Sequence, residues 1–250
     1  MRELKQKNRE LEKMNSELES FAYVSSHDLQ EPLRKIQTFS GRILDTDHKN
    51  LSEIGKEYFL RMQNAAKRMQ TLIEDLLTYS RTNTAERIFE TTNLDIIAEQ
   101  VKSDLKEEIQ QKNATIEVTH LCEAKIIPFQ FRQLMYNLLS NSLKFSKPGT
   151  QPHIQITGKI STGEQLNNAS LSPHKMYCHI IVCDNGIGFD NQYKDRIFDV
   201  FQRLHGKEEY KGTGIGLSIV KKIVENHDGV ITATGEMNKG ARFDIYIPAS

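Results

Sequence analysis

Asp184-Asn185-Gly186-Ile187-Gly188 and, further on, Gly212-Thr213-Gly214-Ile215-Gly216-Leu217 decide how the second half of this chain folds. The first stretch follows the apolar run Ile180-Ile181-Val182-Cys183, so an acid stands where a strand gives way to a glycine turn. The second opens a segment whose apolar spacing is helical as far as Asn226. Glycine amides at the start of a helix can receive phosphates, because the helix dipole and its unpaired N–H groups point at them. The spacing does not fit a dinucleotide fingerprint, and no Gly-Lys-Ser/Thr follows to make a P-loop. Upstream, Asn137-Leu138-Leu139-Ser140-Asn141 puts two amides four residues apart on one helical face, with Lys144 a turn beyond.

Together these pieces can hold a nucleotide and its metal. The Asp184 carboxylate can accept the exocyclic amine of adenine, and Gly186 and Gly188 let the backbone approach the base. The plain alternative is an acid-capped turn after a strand. Amide oxygens of Asn137 and Asn141 suit Mg²⁺ shared with phosphate oxygens; the alternative is a pair of polar surface amides. Lys144 can meet a phosphate as a point charge. Gly212, Gly214, Gly216 and Leu217 form the expected phosphate loop.

Composition sets the outer limits. Lys plus Arg and Asp plus Glu both number 33 in 250 residues, so no strong field favours nucleic acid or anionic lipid. No apolar run approaches the roughly 18 residues of a membrane span. Cys122, Cys178 and Cys183 are scattered, which fits reduced thiols in a cytoplasmic compartment better than a disulfide framework.

Residues from about 2 to 82 read as two long helices. Leu4, Leu11 and Leu18 recur at heptad spacing, with Met14 and Phe21 at companion positions. This is either an amphipathic helix of its own domain or a coiled coil over 1–20 that continues from an upstream sensor. The stripe carries on through Val24, Leu29, Leu33, Ile36, Phe39 and Ile43, breaks at Asp45 to Asn50, and resumes through Ile54, Tyr58, Ala65, Met69, Leu72, Ile73 and Leu76. Two such helices cannot bury their faces alone, so a dimeric four-helix bundle is expected. Residues from Arg81 to Thr92 read as a linker. After it, helices and strands alternate as an α/β sandwich, with a mobile hairpin loop over Ser161 to Lys175.

His27 falls about 160° from the centre of the first stripe at 100° per residue, which places it in solvent. Asp28 can accept its Nδ1 proton and leave Nε2 as a nucleophile. Pro32 removes the amide that would bond the Asp28 carbonyl and is expected to bend the helix there.

The stretch Ser26-His27-Asp28-Leu29-Gln30-Glu31-Pro32-Leu33 resembles the phosphoacceptor box of bacterial two-component sensor histidine kinases, especially those behind phytochrome and PAS sensors. The resemblance implies that His27 takes the γ-phosphate of ATP and that Asp28 assists. It also implies the Bergerat ATP-binding sandwich for the second half, with Asn141 on Mg²⁺ and Lys144 on phosphate. Asn137 matches the position where ATP-hydrolysing relatives carry a glutamate base, and an amide cannot take a proton from water. Phe189 to Lys211 resembles the family's ATP lid, with Phe198 and Phe201 seated in an apolar pocket and Arg203 on the γ-phosphate charge. Three positions depart from the pattern: Glu31 replaces a common Thr or Asn, Asn238 stands where a glycine is usual, and Ala241 replaces the common hydroxyl residue.

The expected architecture is therefore a signalling helix over 1–20, a dimerisation and phosphoacceptor domain over 15–82, a linker over 83–92 and a catalytic domain over 93–250. The expected activity is ATP-dependent phosphorylation of His27 in a homodimer, then transfer to an aspartate of a response regulator. A degenerate nucleotide-binding scaffold and a Bergerat-type ATPase are the competing readings.

Overall fold

The computed structural model describes residues 6, 26, 28–84, 88–166, 168–204 and 212–249. Apart from Gln6, the segment over 1–20, together with His27 itself and residues 205–211 of the expected lid, lies outside the described residues. The chain divides into two compact units, Met1–Ala85 and Glu86–Ser250.

In the first unit, helix α1 (28–46) runs through Pro32 without a break, and a turn at 47–50 leads to α2 (Glu53–Thr84). Ser52 begins α2 as expected of an N-cap, its Oγ accepting from Gly55 N at 3.1 Å. The helices run antiparallel. Gln37 Nε2 donates to Gln70 Oε1 at 3.0 Å, and one turn on Gly41 lies against Gln63. The inner seam is not the apolar stripe the sequence presents. Ser26, Leu33 and Ser40, spaced by sevens, are buried, as is Ala66 on α2, whereas Leu29, Ile36 and Phe39 are exposed. On α2, Tyr58, Met62, Met69 and Leu76 are exposed as well. Small and amide side chains close the hairpin, which leaves a second heptad seam facing outward.

The second unit is built on a five-stranded sheet in the order β2-β4-β5-β7-β6, with β2 parallel to β4 and the other pairs antiparallel. Its strands are β2 (Thr115–Val118), β4 (His153–Thr162), β5 (Met176–Asp184), β6 (Val230–Glu236) and β7 (Gly240–Pro248). Helices α3 (Leu94–Asp104), α5 (Pro128–Lys144) and α6 (Gly216–Asn226) belong to the same unit, as does the short α4 (Lys106–Gln111). Alternation decides the buried face. Ile156, Val182, Phe243 and Ala233 are register partners across four strands and all are buried. They share a core with Leu134, Leu138, Ile219 and Ile223 of the helices. Truncating Leu138, fully buried, to alanine costs about 2–5 kcal/mol.

Three expectations need correction. The linker ends early, because β1 (Glu90–Asn93) pairs antiparallel with β3 (Glu123–Ile126). Asn93 then caps α3, its Oδ1 accepting from Asp95 N at 2.8 Å. The hairpin loop is packed: Gly163 N donates to Lys175 O at 2.9 Å, and Leu171 is buried with Tyr177 and Tyr246. Cys122 and Cys178 form a disulfide with Cα atoms 6.2 Å apart, leaving Cys183 as the free thiol. Sequence separation hid this pair, since tertiary packing alone brings the β2–β3 connection onto β5.

Candidate nucleotide site

Period-two alternation along β5 carries Cys178, Ile180 and Val182 into the core and continues to Asp184 at the strand's end. The carboxylate is therefore delivered to the helix-covered side. There Oδ1 accepts from Gly186 N at 2.9 Å and Ala241 N at 3.2 Å, and Oδ2 accepts from Ser142 Oγ at 3.0 Å. Burial pushes its pKa above the ordinary carboxylate range, and those three donors partly restrain the rise.

The turn after Asp184 is braced on both sides. Asn185 Oδ1 accepts from His153 N at 2.9 Å, and its Nδ2 donates to Gln151 O at 3.0 Å. Ile187 N donates to Phe145 O at the end of α5 at 2.9 Å. Gly188 has φ +63°, and a Cβ there would run into Glu236 O of the β6–β7 turn. Asn238, where a glycine was expected, adopts φ +62° itself, a left-handed conformation asparagine tolerates, and its N donates to Ile187 O at 2.7 Å.

Helix α5 reaches from this turn, through Ser142 and Phe145, to the glycine loop, through Asn137. Asn137 Nδ2 donates to Gly216 O at 3.2 Å, and its Oδ1 accepts from Gln133 Nε2 at 3.2 Å. A Cβ on Gly216 would lie within 4.0 Å of the Asn137 amide and 3.8 Å from Asn141 Nδ2, so both amides flank the first residue of α6. Lys144 Nζ lies so close to Gly212 that any side chain there would displace it. It also sits 4.4 Å over the Phe145 ring. Arg203 lies beside Gly214, which has φ +79°, and Leu217 is half-buried in the first turn of α6. Ile215 offers no capping side chain to α6, so the first-turn N–H groups remain directed at the loop.

The set fits a phosphate chain and its ion. The loop lacks side-chain bulk at 212, 214 and 216, two cations border it, and its oxygen donors are neutral amides, which suit a metal sharing charge with phosphates. Asp184, Gly186, Gly188, Asn137, Asn141, Lys144, Arg203, Gly212, Gly214, Gly216 and Leu217 thus belong to one unit. His27 lies outside the described residues, and Asp28, in the other unit, is exposed on α1.

One lid expectation fails. Phe198 is buried with Ile197 and Phe189, but Phe201 is 60% exposed with φ +64°. The left-handed turn after Asp199 takes its ring out of the apolar seat. Residues missed from the sequence are Ser142, Asn185, Gln133 and the Ala241 amide. Only Ser142 left a signal, a hydroxyl residue on a mostly apolar stripe of α5.

Comparison with known proteins gives two family matches. Residues 17–85 match the His Kinase A (phospho-acceptor) domain. Residues 127–250 match the histidine kinase-, DNA gyrase B- and HSP90-like ATPase. The phytochrome-like protein Cph1 of Synechocystis sp. is 36% identical over 246 residues, covering 98% of this chain and 31% of Cph1. Cyanobacterial phytochrome A of Nostoc sp. is 37% identical over 246 residues, covering 98% of this chain and 30% of that protein. The chain thus spans about a third of the length of these curated relatives. Among solved structures, full-length ShkA in complex with AMPPNP matches with a TM-score of 0.64 at 20% identity, over 92% of this chain and 46% of ShkA. ThkA in complex with response regulator protein TrrA matches with a TM-score of 0.60 at 21% identity, over 97% of this chain and 66% of ThkA. At those identities the two structures speak for the fold.

Proposed function

The chain belongs to the sensor histidine kinases, in their phytochrome-linked subgroup, and on that premise we propose that it phosphorylates its own His27 from ATP and passes the phosphoryl group to an aspartate of a response regulator. The observation that carries this reading is the glycine loop with Lys144 and Arg203 at its border and two asparagine amides at its helix start.

In this reading Asp184 accepts the adenine amine, and Gly186 and Gly188 admit the base. Amides of the 212–217 segment, Lys144 and Arg203 hold the phosphates, with Asn137 orienting the loop through Gly216. Asn141 would hold Mg²⁺, which supplies charge neutralisation between the phosphates when bound. His27 Nε2 donates its lone pair to the γ-phosphorus as the bond from that phosphorus to the bridging oxygen breaks, and ADP leaves. Asp28 accepts the Nδ1–H hydrogen bond and stabilises the positive charge that develops on the ring. Positioning and charge neutralisation carry most of the rate. Because Asn137 cannot act as a base, water is a poor competitor for the phosphoryl group.

The proposed assembly is a homodimer, supported by the outward heptad seam of Leu29, Ile36, Phe39, Tyr58, Met62, Met69 and Leu76. The phosphoacceptor domain is taken as 15–82, behind a signalling helix over 1–20, and the catalytic domain as 93–250, with β1 replacing the end of the 83–92 linker. A sensor domain upstream and a cytoplasmic setting complete the proposal. No helix among the described residues is long and apolar enough to cross a membrane.

Incubation with γ-labelled ATP and Mg²⁺ tests it. Acid-labile, base-stable label on the wild type, absent from His27→Gln, is the expected result. Steady phosphate release without labelled protein overturns it in favour of an ATPase.

A further inference from the structure

We infer that Ser142 is a positioning residue for base recognition: its hydroxyl orients the Asp184 carboxylate and thereby sets the preference for a purine bearing an exocyclic amine. This rests on the reading of Asp184 as the adenine acceptor.

The case begins with a residue out of place. On α5 the buried positions are Phe131, Leu134, Met135, Leu138, Leu139, Ser142 and Leu143, beside Gln130 at the first turn. Ser142 therefore continues the apolar stripe, a full turn beyond Leu138, where packing alone would favour an apolar side chain. It is 4% exposed. A buried hydroxyl is unfavourable unless it is hydrogen-bonded. Its partner is the carboxylate at 3.0 Å, a charge-assisted bond of the stronger kind.

The distribution of donors on Asp184 gives that bond its consequence. Oδ1 receives two backbone N–H groups, from Gly186 and Ala241, which fill its accepting directions. Oδ2 receives Ser142 Oγ, and an ionised carboxylate has about four accepting sites in all. One direction on Oδ2 is thus left for an incoming N–H. The two amides are fixed by the backbone of the turns, whereas the serine is a side chain that substitution can remove. Without it, Oδ2 loses its anchor and the ionised form loses one of the donors that oppose burial. The protonated acid offers an O–H where the ionised acid offered a lone pair. That form mismatches an amine and matches a ring carbonyl, as in hypoxanthine.

The test uses the full chain, with ATP and ITP as the two probes, binding being measured by competition with a fluorescent nucleotide between pH 5.5 and 8.5. In Ser142→Ala, ATP binding is expected to weaken about five- to twenty-fold, the loss of one hydrogen bond to a charged group. ITP binding should change less than two-fold, and the acid-side loss of ATP affinity should move to higher pH. In an Asp184→Asn background, adding Ser142→Ala should change ATP affinity less than two-fold. Equal losses for ATP and ITP, an unmoved pH midpoint, or additivity with Asp184→Asn would overturn the inference and leave Ser142 as a packing residue. Thermal melting of each variant checks that it folds, and Ser142→Thr, which keeps the hydroxyl, should retain the ATP-over-ITP ratio if it does. A separate outcome, wild-type ATP affinity in Asp184→Asn alone, would overturn the adenine reading beneath it.

Discussion

The side-chain amide of Asn137 donates to the carbonyl of Gly216 at 3.2 Å, tying the helix that bears Asn141 and Lys144 to the first residue of the helix that follows the glycine loop. Asn137 is itself steadied by Gln133, so a single turn of α5 fixes where α6 begins. Two elements separated widely in sequence are thereby held at one spacing by protein groups alone, which is preorganisation in the sense that matters for binding.

Asn137→Ala should therefore lower ATP affinity about ten-fold while reducing stability by only about 0.5–1.5 kcal/mol, the range for one partly buried hydrogen bond. Titration calorimetry and thermal melting read the two effects separately. An unchanged affinity would show that the loop position does not depend on this bond.

Gly212→Ala puts a methyl group where the Lys144 ammonium lies. The obstructing atom is the end of a flexible side chain, so the fold should tolerate the change and melt within a degree or two of the wild type. ATP affinity should fall several-fold because the cation is displaced from the loop. Lys144→Ala should lose a similar amount, and the double variant no more than either alone.

Asp244 and Asp184 act on acid stability in opposite senses. Burial pushes Asp244 up, but hydrogen bonds from His179 (2.8 Å) and Arg242 (2.7 Å) outweigh it and hold its carboxyl below the usual range. A depressed native pKa gives stability that is present above the unfolded value and is lost as pH falls through the native one. Asp184 has a raised native pKa, so its ionisation subtracts stability as pH rises from the ordinary carboxylate range through the native value. Thermal melts between pH 3 and 8 should show Asp244→Asn destabilised at neutral pH, with the difference closing toward pH 3. Asp184→Asn should be no less stable than the wild type at neutral pH, while losing nucleotide.

The outward seam of the helical unit predicts association. Ile36→Glu or Met69→Glu places a charge on positions that are exposed within one chain and should shift sedimentation from dimer toward monomer. Leu33→Ala, on the inner seam, should instead lower the melting temperature.

Much of this site was legible in the sequence because local rules suffice there. Alternation from Cys178 to Val182 points Asp184 to the core side, glycines mark the turns, and four-residue spacing puts Asn137 and Asn141 together. Legibility failed where a residue's role depends on a distant partner. Glu90–Asn93 is wholly polar, so only its pairing with the alternating Glu123–Ile126 makes it a strand. Heptad spacing in α1 could not tell which of two seams closes the hairpin, and Leu33 proved to face inward while Leu29 and Ile36 did not. The resemblance to the family's lid made Phe201 an anchor, yet a left-handed turn exposes it. The Cys122–Cys178 pair and the Ser142–Asp184 bond likewise come from packing of segments far apart in the chain.

The central claim is that nucleotide held at Asp184 and the glycine loop is spent on one imidazole. Mapping the phosphorylated residue by mass spectrometry at neutral to basic pH, after a brief incubation with ATP and Mg²⁺, tests it most directly. The account predicts a phosphoryl group on His27, lost in Asp184→Asn and in His27→Gln. A phosphoryl group on any other residue, or one on His27 that persists undiminished in Asp184→Asn, would contradict it.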